Sequence, residues 1–324
     1  MGDIPRVLSL GGGLDSFAVL IESIRRRQVP DVVCFVDVAD GTLERDGQDP
    51  GEWPGTYRHV REVVAPLCAR EGIELVWLDS ARYPVRDARS LYEWLRVRKQ
   101  IPVSGPDRVC TRIAKVERFE RWMSDRWPGQ QVEVWVGFEA GEENRAKKDP
   151  NSGTDVRVML DAARARAAAA KSPKARVRAQ ERVARLERLA VRTNRFPLIE
   201  WRLCRCRCEA LVRAAGYAVP RKSACMGCCY NTTGDFKTLA REQPEVFAKY
   251  VALEADKPPT AKNGLKLTIR EFRDGKGVLL PQLVERSYRP QLKPCPICGA
   301  AVKATKAVGC GWLAEGDDER QVAQ

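Results

Sequence analysis

The chain has 324 residues and a mass of 36.3 kDa, enough for one large domain or two ordinary ones. Hydrophobic residues at 44% and charged residues at 31% are a globular composition, which excludes a chain that is mostly disordered. Lys and Arg number 56 against 43 Asp and Glu, a formal charge of +13, so an anionic partner is expected; the single histidine, His59, excludes a metal site built of several histidines.

Residues 6–10 (RVLSL), 31–38 (DVVCFVDV), 73–79 (IELVWLD) and 131–138 (QVEVWVGF) are predicted strands, each rich in the residues of sheets covered on both faces. Between the first two, Phe17, Leu20, Ile21 and Ile24 recur at helical spacing, and 56–71 and 112–126 read as further helices. The expected fold class is therefore α/β: a parallel doubly wound sheet over residues 1–150 that binds a nucleotide, followed by a helical, cysteine-rich C-terminal region. Residues 151–195 carry twelve Lys or Arg against four Asp or Glu and read as a basic helical insertion. Six cysteines fall in 196–256, the expected metal region, and Pro258 and Pro259 break the chain before a tail, 257–324, that contains CPICG.

No apolar run approaches the roughly 20 residues of a membrane crossing. The opening MGDIPRVLSLGG has neither the charged nor the apolar region of a secretory leader. A cytoplasmic chain is expected, in which the twelve cysteines serve as metal ligands or redox groups rather than as disulfides.

The run SLGGGLDSFAVL at 9–20 closes the first strand and opens the first helix. Glycines let backbone N–H groups approach a phosphate there, and the helix N-terminus adds partial positive charge. A Walker A loop is excluded, because no Lys followed by Ser or Thr comes after the glycines. A dinucleotide fingerprint fails at its third glycine, where Ser16 stands, although Asp37 lies at the distance of its ribose-binding acid. A plain strand-to-helix turn capped by Asp15 or Ser16 is the alternative.

Gly12, Gly13, Asp15 and Ser16 match the SGGxDS signature of the PP-loop ATP pyrophosphatases, with Gly11 in place of the first serine. Three further blocks, CTRIAK at 110–115, GEENRAK at 141–147, and NRFPLIEW at 194–201 followed by KSACMGC, make the chain resemble the phosphoadenosine phosphosulfate reductase-like branch of that superfamily. The resemblance implies ATP, or a sulfonucleotide, bound by Gly11, Gly12, Gly13, Asp15 and Ser16, with Asp15 placing Mg²⁺; Asp37 joins the expected nucleotide contacts through its dinucleotide-like spacing alone. It implies that Arg112, Lys115, Arg145 and Lys147 contact the anion and the leaving pyrophosphate, where a bland reading makes them solvated helix ends. It also implies a [4Fe–4S] cluster on Cys110, Cys208, Cys225 and Cys228.

Four thiolates suit zinc as well as iron–sulfur, and three would leave one iron open to sulfide. Cys204 and Cys206 are spare thiols able to replace a ligand, Cys229 adjoins Cys228, and Cys34 and Cys68 read as core. In the tail, Cys295, Cys298 and Cys310 suit Zn²⁺, with a fourth ligand missing unless an earlier cysteine supplies it. Arg178, Arg182, Arg185, Arg188 and Arg192 recur every three or four residues, so 176–195 could track a nucleic-acid backbone or be an ordinary exposed helix.

The expected function is adenylation of a substrate for sulfur transfer, with nucleic acid a candidate substrate and a sulfur donor or reductant protein a further partner. One alternative is a sulfonucleotide reductase using Cys310, which lacks the Glu and His of that family's ECGxH tail. The other is a zinc-dependent nucleic-acid binder without catalysis.

Overall fold

The computed structural model describes residues 4–103, 109–147, 149, 156–259, 268–271, 277–288, 292–295 and 297–303. The predicted strands form as β1 (Arg6–Leu10), β2 (Val32–Val36), β3 (Glu74–Leu78) and β4 (Val132–Val136). A fifth, β5 (Arg192–Arg195), joins them in the order β3-β2-β1-β4-β5, every neighbouring pair parallel. β5 lies inside the stretch read as a helical insertion. Its RTNR has no apolar run to betray it, since an edge strand is held by its main-chain ladder to β4, here Val132↔Arg192 through Trp135↔Arg195.

Successive side chains of each strand point to opposite faces. Val7, Val32, Cys34 and Val134 therefore pack on one side, against Phe119, Trp122 and Met123 of the helix Glu117–Arg126. Leu8, Leu10, Val33, Phe35 and Trp135 pack on the other. There they meet α1 (Leu14–Arg25), whose Phe17, Leu20 and Ile21 are buried as the helical spacing predicts, and Cys208 and Val212 of the helix Arg205–Ala214.

A second core crosses the boundaries drawn at 196 and 257. Ile113 joins Met226, Phe236 and Leu239 with Ile269, Leu280 and Leu283. The buried Glu254 carboxylate accepts from the N–H groups of Ile269 and Leu280, both at 2.8 Å, and so pins the start of the tail to the helix Pro244–Asp256. The helices Val156–Ala168 and Pro173–Ala190 pack on each other through Leu160, Ala163 and Leu186. Among the described residues no helix is long and apolar enough to cross a membrane.

His59 is 9% exposed and edge-on to Phe17, and its Nε2 has no hydrogen-bond partner among the described residues. Burial lowers it to about 4 from an ordinary 6.5, so the unfolded chain binds the extra proton first. Its neutral packing is complete above pH 6.5 and is lost as the pH falls toward 4. The expected outcome is that His59→Phe removes about 2–3 kcal/mol of acid-induced destabilisation between pH 7 and pH 4. Urea midpoints of the two proteins across that range check it; parallel pH curves would refute it.

Candidate nucleotide and thiol site

In an open parallel sheet the ligand crevice lies beyond the carboxyl ends of the strands where the winding reverses. This chain winds outward from β1 to β3 and then returns to the far side of β1, so that point lies between β1 and β4. The glycine turn leaves β1 and residues 137–147 leave β4. The two meet closely: a Cβ on Gly137 would stand 2.8 Å from the Ser16 amide nitrogen.

Gly12 has a φ of +74°, and a Cβ there would stand 2.5 Å from Thr56 Cγ2, so only glycine fits. Gly13 is the N-cap of α1, with no side chain capping it. The Ser16 hydroxyl accepts from the Gly11 N–H (3.1 Å) and donates to the Gly13 carbonyl (3.2 Å), which ties the turn shut from behind its own helix. The first N–H groups of α1 are left to other acceptors, the chemistry of an anion cradle.

Asp15 Oδ2 pairs with Arg205 Nη1 at 3.1 Å, while Oδ1 has no hydrogen-bond partner among the described residues. Burial pushes its carboxyl up against the pull of Arg205 and Arg145. Glu139, 2% exposed, and Glu142 are pushed up likewise, first by burial and in part by Asp15; the Gly141 N–H donates to Glu139 Oε2, and Oε1 has no partner among the described residues. A hard cation takes oxygen ligands, so Asp15 Oδ1 and Glu139 Oε1 fit Mg²⁺. Arg145 lies 2.9 Å from Glu142 and stacks its guanidinium 4.1 Å from the Phe138 ring centroid, and Lys147 is exposed two residues on.

The KSACMGC loop lies on the glycine turn. A Cβ on Gly13 would fall 2.9 Å from the Ser223 hydroxyl, and one on Gly11 would fall 3.4 Å from it. The Met226 N–H donates to the Gly51 carbonyl (2.9 Å), and Cys225 forms an isolated bridge with Glu52.

Cys110, Cys225 and Cys228 feel one another's charge here. Burial pushes Cys110 up to about 11, and Cys225 well up. Cys228 goes the other way, to about 7, because the Cys229 thiol and the Tyr230 N–H donate to it. Lys115 Nζ lies 2.6 Å from the wholly buried Glu52. Burial opposes its charge, but Glu52 and the Cys225 thiol outweigh that and hold the ammonium above its ordinary range. Arg112 rests 3.7 Å from Glu117.

One expected cluster ligand stands elsewhere. Cys208 is wholly buried four residues beyond Cys204, on the face of its helix that packs against the sheet core, and is not brought to the other three thiols. Asp37 is 1% exposed; its Oδ1 accepts from the Tyr57 hydroxyl (2.7 Å) and the Ala39 N–H (2.9 Å), and its Oδ2 has no hydrogen-bond partner among the described residues. Cys295 and Cys298 gather with Cys204 and Cys206, while Cys310 lies outside the described residues. Of the arginine stripe, Arg178 and Arg182 are exposed, whereas Arg192 begins β5 and faces Glu120 at 3.8 Å. Sequence reasoning missed Glu52, Glu139, Arg205 and Ser223; the one local signal was that the last three adjoin motifs already singled out.

No family model matches the chain, and no curated protein does. Among solved structures it is similar to the U34-tRNA thiolase NcsA from Methanococcus maripaludis with its [4Fe–4S] cluster, at 13% identity and a TM-score of 0.39, over 82% of this chain and 77% of that one.

Proposed function

We propose that the chain is a nucleotide-dependent enzyme of the PP-loop type that uses ATP to activate an acceptor for sulfur transfer. The observation that carries this reading is the seating of Ser223 on Gly11 and Gly13, which puts the Cys225–Cys228 loop against the turn suited to phosphates. Backbone N–H groups of Gly12–Ser16 and the positive end of α1 bind the phosphates. Asp15 Oδ1 and Glu139 Oε1 would supply oxygens to a bound Mg²⁺. An acceptor oxygen attacks the α-phosphorus, the bond to the bridging oxygen breaks, and pyrophosphate leaves with the electron pair. Arg145, Arg112 and Lys147 neutralise that developing charge.

Cys110, Cys225 and Cys228 are soft donors fit for a [4Fe–4S] cluster, with Cys228 already near its thiolate form at neutral pH. Three such ligands would hold a cluster with one iron free of protein thiolate, the chemistry needed to accept an external sulfide. Lys115, anchored by Glu52, keeps a positive charge beside those thiolates. The acceptor in this reading is a nucleic acid, drawn by the overall charge and by Arg178 and Arg182.

Anaerobic purification followed by iron and sulfide counts, and pyrophosphate release with ATP, Mg²⁺ and bulk tRNA, tests the reading. The wild type is expected to carry about four irons and four sulfides per chain. Cys228→Ser should lose most of the iron, and Asp15→Asn should slow pyrophosphate release roughly a hundredfold with the iron retained. Colourless wild-type protein that binds ATP and turns over on no acceptor overturns it.

A further inference from the structure

Four thiols gather outside this site, and the proposed chemistry uses none of them. Cys204 is the N-cap of the helix Arg205–Ala214, and Cys206 lies in its first turn. Cys295 and Cys298 lie in the loop of an antiparallel hairpin, Leu292–Pro294 with Ala301–Lys303. The four sulfur atoms are all within 4.8 Å of one another. Tetrahedral zinc–thiolate bonds of about 2.3 Å put sulfurs roughly 3.8 Å apart, so the group matches a single ion to within about an ångström. A four-iron cluster gives each thiolate its own iron and spreads the sulfurs wider.

The hairpin loop has the backbone of a metal knuckle. The Cys295 carbonyl accepts from the Gly299 N–H (2.9 Å), the Cys295 N–H donates to the Ala300 carbonyl (2.7 Å), and Gly299 takes a φ of +75°. Among the described residues the buried cluster around the thiols is Cys204 and Cys295, with Cys206 against it. A metal held by such thiols ties a short hairpin to the helix that carries the other two.

We propose that Cys204, Cys206, Cys295 and Cys298 hold one zinc ion, and that this ion sets the position of Arg205 against Asp15. Arg205 stands between two of the ligands, and its Nη1 is 3.1 Å from Asp15 Oδ2. The residue before the first ligand, Leu203, accepts the Ala140 N–H through its carbonyl at 3.0 Å. Fixing Cys204 and Cys206 therefore fixes both sides of the crevice, the glycine turn through Asp15 and the segment after β4 through Ala140. In place of the tail set expected from sequence, Cys204 and Cys206 supply the ligands that Cys295 and Cys298 lack. The zinc site stands whether or not Asp15 serves a nucleotide.

Metal analysis and native mass spectrometry of the full chain test the first half. One zinc per chain is expected, lost in Cys206→Ser and in Cys298→Ser, and kept in Cys228→Ser and Arg205→Ala. Equal zinc in all five proteins, or none in the wild type, overturns it. Should the serine variants fail to fold, Co²⁺ in the wild type decides: a tetrahedral, thiolate-rich spectrum supports the site, and an oxygen-rich octahedral one sinks it.

Hydrogen exchange tests the second half. Removing zinc with a chelator should speed exchange several-fold at residues 11–17 and 204–209, and Arg205→Ala should speed it at 11–17 with zinc still bound. Unchanged exchange at 11–17 after zinc loss refutes the coupling. Neither readout depends on pyrophosphate release, so failure of the enzymatic reading and failure of this one are separable.

Discussion

Alanine at position 12 is expected to lower the stability of the chain by about 3–4 kcal/mol and to abolish nucleotide binding. The left-handed backbone at Gly12 costs an L-residue roughly 1–2 kcal/mol, and the added methyl is overpacked on two sides, which costs about 1–3 kcal/mol more. It would meet Thr56 Cγ2 at 2.5 Å and the Phe35 ring at 3.3 Å. Neither can retreat, because both are buried, Thr56 at 1% exposure in the helix Pro54–His59 and Phe35 near the carboxyl end of β2. Relief comes only by moving the turn, and with it the N–H groups of the anion cradle. Gly55→Ala is the control: nothing lies within 4 Å of that Cβ, and alanine in a helix is expected to stabilise by about 0.5–1 kcal/mol. Urea midpoints and fluorescent-ATP titration read both variants. A Gly12→Ala protein as stable as the wild type would mean that the turn is not the tight cradle described.

What could be read from the sequence follows from which physical signals are local. β1, β2 and β4 are inner strands of the sheet, and β3, half-buried at its edge, still reads ELVWL, so their apolar runs are contiguous and stand out. β5 is specified by pairing with β4, a long-range fact that RTNR does not carry. The glycine turn is legible because its shape depends on residue types adjacent in the chain.

The partition of thiols is not local. Cys204 and Cys208 sit four apart on one helix, yet the first gathers with Cys206, Cys295 and Cys298 and the second faces the sheet core. Cysteine spacing identifies thiols able to share a metal but not which of several loops the fold brings to them. Asp37 is a related case: its place after β2 is local, whereas the bond from Tyr57, twenty residues on, comes from another element and takes Oδ1, leaving Oδ2 without a partner among the described residues.

Arg118 had no motif to mark it, and its replacement by methionine is expected to cost about 3–5 kcal/mol, the cost of breaking a buried charged network. The side chain is wholly buried, and its guanidinium donates to the carbonyls of Asp37, Leu78, Tyr83 and Ala114. Those oxygens belong to the carboxyl ends of β2 and β3, the loop beyond β3, and the arginine's own helical segment. Burial lowers the guanidinium to about 10, so it stays charged at neutral pH and its hydrogen bonds are charge-assisted.

Methionine fills the volume but leaves Asp37, Leu78 and Tyr83 carbonyls without that donor in a site closed to water. Lysine keeps the charge but not the planar fork that reaches several carbonyls at once, so Arg118→Lys should recover less than half of the loss. The damage should spread along a defined route. The Asp37 carboxyl holds Tyr57, the Tyr57 hydroxyl accepts from the Glu52 N–H, and Glu52 holds Lys115 beside Cys225. Denaturant midpoints together with amide exchange at residues 36–39 and 52–57 measure both effects. A methionine variant with a wild-type midpoint would show that water reaches those carbonyls, and that the strand ends are set by the helices packed on the sheet instead.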